Sequence, residues 1–462
     1  MRGSAIVGPE VYDRMHMQKL VIIGCAGTGG PAAMLAKALA PEIEVTVIRE
    51  EENFLTRCAT PYIANGDVTV DSSVKDDQIL RSKGITLVDG RATAVDREAK
   101  RVTTADGTSY SYDKLVLAVG ARAVIPRIAG ADLAGIFVIR TSRDATDILT
   151  WINTRRVRRA IVVGAGAVGL EMAYVLASKG IKVYVVELLD HVFPATFDTD
   201  MSEPIERYLT SEGLQLRLGQ KVEKILGSAV VEGAELSTGE AIEAGMVLMS
   251  TGVRCNTELA ERAGLEIGTR GVKVNEYLQT SDPDIYAGGD LIEYQSAVSG
   301  KPILGQVRPN AVIGGRVIAK NVLGYQVKFP PLINSFATKL FDLSVGSAGI
   351  PESAARREGM TVVSAKTNAM SKHAMMKGKK PYTVKLVFDK DSGKVIGGQV
   401  VSESECAVRY IDVIALAIRV GMTAIELATF RCAGQPELSP EPSAEPISLA
   451  AEGASRKLHE QG

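Results

Sequence analysis

AIVVGAGAVGLEMAYVLASKGIKVYVVE, residues 160–187, reads in order as strand, glycine turn, helix and strand. Three glycines in the turn have three distinct duties. Gly164 permits the tight turn out of the strand, Gly166 lets backbone approach a phosphate closely, and Gly169 lets the helix pack against the strand. The helix N-terminus adds a partial positive charge that favours an anion. Glu187 closes the second strand. A carboxylate there accepts hydrogen bonds from ribose hydroxyls and repels a 2′-phosphate, so the stretch predicts a dinucleotide site that prefers NADH to NADPH.

The same plan occurs near the start, less regularly. KLVII (19–23) is a strand, AAMLAKAL (32–39) a helix and EVTVI (44–48) a second strand, with Gly24-Cys25-Ala26-Gly27-Thr28-Gly29 as the turn. Gly24 and Gly29 keep the register, Gly27 lies between them, and Ala26 stands at the middle glycine position. Arg49 occupies the place where the ribose-binding acid is often found, and Glu50, Glu51 and Glu52 follow it. Glu50 is the candidate ribose ligand, its neighbours a solvated acidic turn. Two such loops predict two dinucleotides.

Composition sets the outer limits. A chain of 462 residues accommodates roughly three domains of about 150 residues each. Fifty-three basic residues face 54 acidic ones, with no polybasic block beyond short runs such as RRVRR (155–159), so no nucleic-acid partner is expected. Arg127, Arg140 and Arg143 read as surface charges. The five cysteines (Cys25, Cys58, Cys255, Cys406, Cys432) form no CxxC pair, which argues against a disulphide framework, a metal site or an iron–sulphur cluster in this chain. A reducing, cytoplasmic location fits that usage. No uncharged apolar run is long enough to span a membrane. Residues 1–17 read as a leader outside the fold, and 451–462 as a flexible tail.

Further motifs carry a resemblance. YDKLVLAVGARAVIPRIAG (112–130) holds Gly120, MSTGVRCNTEL (249–259) holds Gly252, and TSDPDIYAGGD (280–290) ends on Asp290. In this order, with the two glycine loops, they resemble the two-dinucleotide-binding-domain flavoproteins, the pyridine nucleotide-disulphide oxidoreductases, over about residues 18–450. The resemblance implies an α/β fold with two Rossmann-like domains, one for FAD and one for NAD, plus a C-terminal α+β dimerisation domain. It divides the chain into an FAD domain (18–128 and 256–328), an NAD domain (129–255) and an interface domain (329–450) that pairs two copies into a homodimer. Gly24, Gly27, Gly29, Glu50, Gly120 and Asp290 would then hold FAD, Asp290 through its ribitol. Gly164, Gly166, Gly169, Glu187 and Gly252 would hold NAD.

The branch within the family turns on one cysteine. TRCATPYIANG (56–66) has Cys58 alone where dithiol reductases carry CxxxxC, and it resembles the loop of NADH oxidases, NADH peroxidases, coenzyme A-disulphide reductases and polysulphide or persulphide reductases. KLFDLSVGSAG and YIDVIALAI are similar to that branch's dimer domain. Three departures stand out. The basic residues of the first helix reduce to Lys37, aromatic positions become Met375 and Met376, and Gln435 precedes Pro436 where glutathione-type reductases use a histidine. The first two argue against coenzyme A as substrate. A cysteine is nucleophilic as its thiolate, a form that a nearby cation or helix N-terminus favours, and Arg57 directly precedes Cys58. The other reading makes Cys58 a small buried residue in a flavin pocket. Glu171 resembles a carboxylate that the family places near nicotinamide and flavin, and it also reads as a helix-surface residue. Cys25 and Cys255 read as packing residues, and Cys432 stays open as a second thiol reaching a partner subunit.

Two functions follow. In the first, electrons pass from NADH through FAD and Cys58 to a disulphide, polysulphide, oxygen or peroxide. In the second, the chain is the FAD-containing, NAD-reducing subunit of a larger aldehyde- or 2-oxo acid-oxidising complex with iron–sulphur partner subunits.

Overall fold

Leu20, Val21, Ile22 and Ile23 are all buried, and a strand apolar on both faces belongs inside a parallel sheet covered on both sides. The computed structural model, which describes residues 18–51, 54–405 and 407–460, places it there. In space the first sheet runs Ile285–Ala287, Lys114–Leu117, Lys19–Ile23, Glu44–Arg49, Ile85–Asp89, with every pair parallel. Strand order reverses direction at Lys19–Ile23, the topological switch point outside which such sheets bind ligands. The helix Gly29–Leu39 leaves from that point and presents Ala32, Ala33 and Ala36 to the core. Small residues there bring the helix Arg308–Val322 close, and a Cβ on its Gly315 would run into the Thr28 carbonyl.

The second sheet repeats the design in the order Ile136–Phe137, Val247–Met249, Arg159–Val163, Lys182–Val186, Gln215–Arg217, again all parallel. Two short strands, Ala121–Ala123 and Val253–Cys255, pair antiparallel as the chain crosses to the second fold and returns. A third, antiparallel sheet (Phe336–Leu340, Leu343–Gly349, Val395–Ser402, Pro381–Asp389, Val362–Met370) carries the helices Tyr410–Val420 and Pro446–Glu460. This is the α/β architecture of two dinucleotide folds and an α+β domain that the motifs implied.

One apolar cluster ties the three parts together. It joins Ile63 and Ala64, just after Cys58, to Leu170 and Met172 of the second fold and to Leu340 and Val345 of the third sheet. A polar lock adds to it. Lys385, 5% exposed, lies 3.1 Å from Asp198, 2.8 Å from Asp200 and 3.1 Å from Glu352.

The tail differs from its expectation. Residues 451–460 continue the helix Pro446–Glu460, whose Ile447, Ala450, Ala451 and Ala454 are fully buried against the third sheet. Alanines at helical spacing pack close to a sheet, and this outweighs the Pro- and Ser-rich approach. The leader 1–17 and residues 461–462 lie outside the described residues. Among the described residues no helix is long and apolar enough to cross a membrane.

Candidate active site

The frame of the second glycine loop is set by the Gly164 N–H, which donates to the Val186 carbonyl at 2.8 Å. Gly164 has φ +105° and a Cβ there would strike the Ser250 carbonyl, so no other residue fits. Gly169 packs equally close on the Gly164 carbonyl. Gly166 caps the helix Ala167–Ser178, and a Cβ on it would meet nothing within 4 Å. Open space above a helix N-terminus is what a pyrophosphate requires. Glu187 is buried beside the loop, its carboxylate accepting the Ala165 N–H at 2.7 Å and the Leu189 N–H at 2.9 Å.

The first loop has the same frame, with the Gly24 N–H donating to Ile48 at 2.8 Å. Gly24 (φ +101°) abuts the Ala118 carbonyl, Gly29 abuts the Gly24 carbonyl, and Gly27 sits against Ala311. Ile48 thus corresponds to Val186, and the position matching Glu187 is Arg49. Arg49 is 5% exposed, with Nε 2.7 Å from Asp89 and Nη1 and Nη2 2.6 and 2.5 Å from the two oxygens of Asp77. Glu50 falls one residue further on, with a 68% exposed side chain 4.0 Å from Arg91.

Between the folds, Gly120 accepts the Asn256 N–H and Gly252 accepts the Val124 N–H, each at 3.0 Å. Both have positive φ, and a Cβ on either would point into open space. Asp290, on the turn Gly289–Leu291, lies 3.0 Å from Nη2 of Arg140, which also donates to the Ala121 carbonyl. The sequence reading made Arg140 a surface charge. Instead its side chain is 21% exposed and its Nε is buried with no protein partner among the described residues. Open glycine backbone at Gly166, Gly120 and Gly252 and an unpartnered donor at the crossing fit two dinucleotides meeting there.

Cys58 occupies a single turn, Arg57–Ala59, that runs directly into the helix Thr60–Asn65, and it is exposed. Arg57 does not turn to the thiol as expected, because Nη1 donates to the Arg140 carbonyl at 2.8 Å and Nη2 to Glu51. The group that does face the thiol's surroundings is Tyr62, one helical turn on. Burial pushes its hydroxyl pKa up, and Glu171 and Cys58 add to that. Glu171 is half-buried rather than on the helix surface; burial holds its carboxyl above the usual range, opposed by a 2.5 Å hydrogen bond from Thr338 of the third sheet. The structure therefore gathers Cys58, Tyr62, Glu171 and Thr338 where the three parts meet. Tyr62 and Thr338 carried no sequence signal, since each acts through a neighbour distant in the chain.

The other described cysteines separate by burial. Cys25 and Cys255 are buried, and burial raises both thiols, Cys25 to about 11. Cys432 is half-buried and unpaired. Among the described residues no group of three or more potential ligands is placed to hold a metal.

A groove of about 480 Å³ opens beside Phe54 and Leu55, three residues before Cys58. Pro31, Met34, Leu35 and Val312 form its floor, and Lys75, Lys83, Arg308 and Arg316 line it with positive charge. None of the four is paired with a carboxylate among the described residues. Lys37, the single cation left on the first helix, turns away to the Ile43 carbonyl at 2.8 Å. The groove's four cations come from elements other than the first helix, a pattern with no contiguous trace in the sequence.

Residues 18–313 match the model of the pyridine nucleotide-disulphide oxidoreductases, and residues 335–445 match that family's dimerisation domain. The chain belongs to this family. An NADH oxidase of Methanocaldococcus jannaschii is 36% identical over 450 residues, which are 95% of this chain and 99% of that protein. A CoA-dependent NAD(P)H sulfur oxidoreductase of Pyrococcus furiosus is 31% identical over 92% of this chain and 97% of its own length. The structure of a NAD-dependent persulfide reductase from A. fulgidus, 32% identical, superposes with a TM-score of 0.92, covering 96% of this chain and 84% of that one. As a pyridine nucleotide-disulphide oxidoreductase the chain is an FAD- and pyridine nucleotide-dependent enzyme, in agreement with the motifs. The multi-subunit alternative with iron–sulphur partners finds no support in these relatives.

Proposed function

We propose that this chain is an NADH-dependent reductase of sulfur–sulfur bonds, acting on persulfides, polysulfides or mixed disulfides, with Cys58 as its nucleophile. One observation carries the reading: an exposed, unpaired cysteine begins a helix at the junction of both dinucleotide folds, next to a groove lined by four cations. Phosphate-rich thiols such as coenzyme A carry the complementary charge, and the CoA-dependent relative supports that choice.

The Cys58 thiolate attacks the sulfur–sulfur bond and displaces one half as a thiol, leaving the other half bonded to Cys58. Two electrons and a proton then break that new bond, releasing the second half and restoring the thiolate. Bound FAD supplies those electrons, taken from NADH. The loop 164–169, Glu187 and Gly252 would hold NADH, the loop 24–29 and Gly120 would hold FAD, and Asp290, held by Arg140, would take its ribitol. Glu171, kept protonated more readily by its burial, is placed with Tyr62 to return a proton.

The dimerisation domain supports a homodimer, and the exposed Leu416, Val420, Ile425 and Leu438 offer it an apolar face. Unpaired cysteines throughout the described residues support a cytoplasmic location. Dioxygen as acceptor is the second reading, favoured by the NADH oxidase relative. The acceptor is tested by comparing turnover with CoA persulfide, inorganic polysulfide and oxygen in wild type and in Lys75→Glu/Arg308→Glu. Charge reversal is expected to raise KM for CoA persulfide at least about tenfold and leave oxygen turnover unchanged. Equal KM values would remove the groove from the account.

A further inference from the structure

The two dinucleotide folds share a frame, yet their second strands end in opposite charges. Where the second fold has Glu187, the first has Arg49, buried and gripped by Asp77 from the segment before the third strand and by Asp89 from that strand's end. The trio of Arg49, Asp77 and Asp89 carries one net negative charge, the same as Glu187 alone. Its place is also the same. Glu187 holds the N–H of Ala165, the second residue of its loop, and the corresponding residue of the first loop is Cys25. Arg49 follows Ile48 as Glu187 follows Val186, and the charges of Arg49, Asp77 and Asp89 all bear on the Cys25 thiol. Arg49 commits Nε, Nη1 and Nη2 to these carboxylates, but the carboxylates keep acceptor capacity. Asp89 uses only Oδ1, and its side chain is 65% exposed. Asp77 takes one hydrogen bond on each oxygen and is 30% exposed.

We propose that Asp77 and Asp89, positioned by Arg49, together accept the adenosine ribose hydroxyls of FAD, replacing the single strand-end carboxylate with a composite one. The inference rests on the reading that the first fold takes FAD. Arg49 is here a positioning residue: neutralised by two carboxylates, it has no surplus charge to select a phosphorylated ribose, and its removal acts through the two aspartates. Glu50, one residue off the frame and exposed, takes no part.

The test uses apo-protein and two flavins, FAD and its analogue with 2′,3′-dideoxyadenosine, with affinities read from quenching of flavin fluorescence. Wild type is expected to bind FAD at least about tenfold more tightly than the analogue, the size of a hydrogen bond to a charged acceptor. In Asp77→Asn/Asp89→Asn the two flavins are expected to bind equally, at the level of the analogue in wild type. Arg49→Gln should behave likewise and Arg49→Lys should restore part of the discrimination, whereas Glu50→Gln should keep all of it. NADH affinity of the second fold serves as the measure of intact folding and is expected to stay constant. Equal binding of the two flavins by wild type overturns the proposal, as does discrimination that survives in the double variant or disappears in Glu50→Gln. Failure of wild type to take up FAD at all overturns the underlying reading instead, and is seen before any variant is made.

Discussion

Glu187 shows how much a single residue can settle. Its carboxylate is buried, faces the glycine loop and accepts two backbone N–H groups, so a 2′-phosphate arriving there would meet a fixed negative charge. Glu187→Ala is expected to move the NADH to NADPH ratio of kcat/KM by about tenfold or more toward NADPH, the scale of one charged hydrogen bond. Steady-state kinetics with both nucleotides check it, and an unaltered ratio would contradict the assignment. Glu187 was legible because the glycines before it and the strand leading to it are contiguous. Its counterpart was not. Arg49 already stood in the sequence where the acid is often found, but a run of three glutamates drew attention to Glu50, and the pairing of Gly24 with Ile48 sets the end of the frame at Arg49. Arg140 was illegible for a related reason, since its partners Asp290 and Ala121 are brought to it by two different crossings of the chain.

At the scale of elements, the helix after Cys58 gains its position from contacts on two sides, with the second fold and the third sheet sharing one apolar cluster. The lock around Lys385 fixes the same junction, joining Asp198 and Asp200 of the second fold to Lys385 and Glu352 of the third part. Burial works against the Asp198 carboxylate, but the Ser353 N–H, Lys385 and Gln399 together hold its pKa below the ordinary range; Glu352 is lowered as well. Carboxylates with depressed folded values add stability that is present above their unfolded pKa and is lost as pH falls through the folded one. Lys385, raised by Asp200 and Asp198 against its burial, contributes below its unfolded value and loses that only in strong alkali. Lys385→Met leaves the buried Asp198 without a cation, while Asp200 keeps Lys366 and Glu352 keeps Arg356, and is expected to cost about 3 kcal/mol at pH 7. Urea unfolding should show that gap narrowing as the pH falls below the carboxylate range; a constant gap would mean that the ion pairs contribute little. The tail helix teaches the reverse lesson about legibility. Its alanines at 450, 451 and 454 were visible at helical spacing, but Pro and Ser in the approach obscured them.

At the scale of the whole molecule, the order of motifs along the chain was enough for the architecture, because each glycine loop, crossing and switch point is encoded locally. The basic groove and the gathering of Cys58, Tyr62, Glu171 and Thr338 were not, because they are assembled from elements up to 285 positions apart in the chain, from Pro31 to Arg316. The family's dimerisation domain supports pairing of two copies, and the apolar residues left outside on the last domain are the proposed interface. Leu416 is 61% and Val420 64% exposed, and Leu416→Asp/Val420→Asp is expected to shift the protein from dimer to monomer in light scattering after gel filtration. A variant that stays dimeric would place the interface elsewhere. In the proposed cycle, reducing equivalents from NADH leave through Cys58. The most direct test follows NADH oxidation without oxygen, with CoA persulfide or polysulfide as acceptor, in wild type and Cys58→Ser, alongside flavin reduction by NADH in a single turnover. Flavin reduction in Cys58→Ser is expected to match wild type while turnover with the sulfur acceptor falls by about a hundredfold or more. Undiminished turnover in Cys58→Ser would contradict the account.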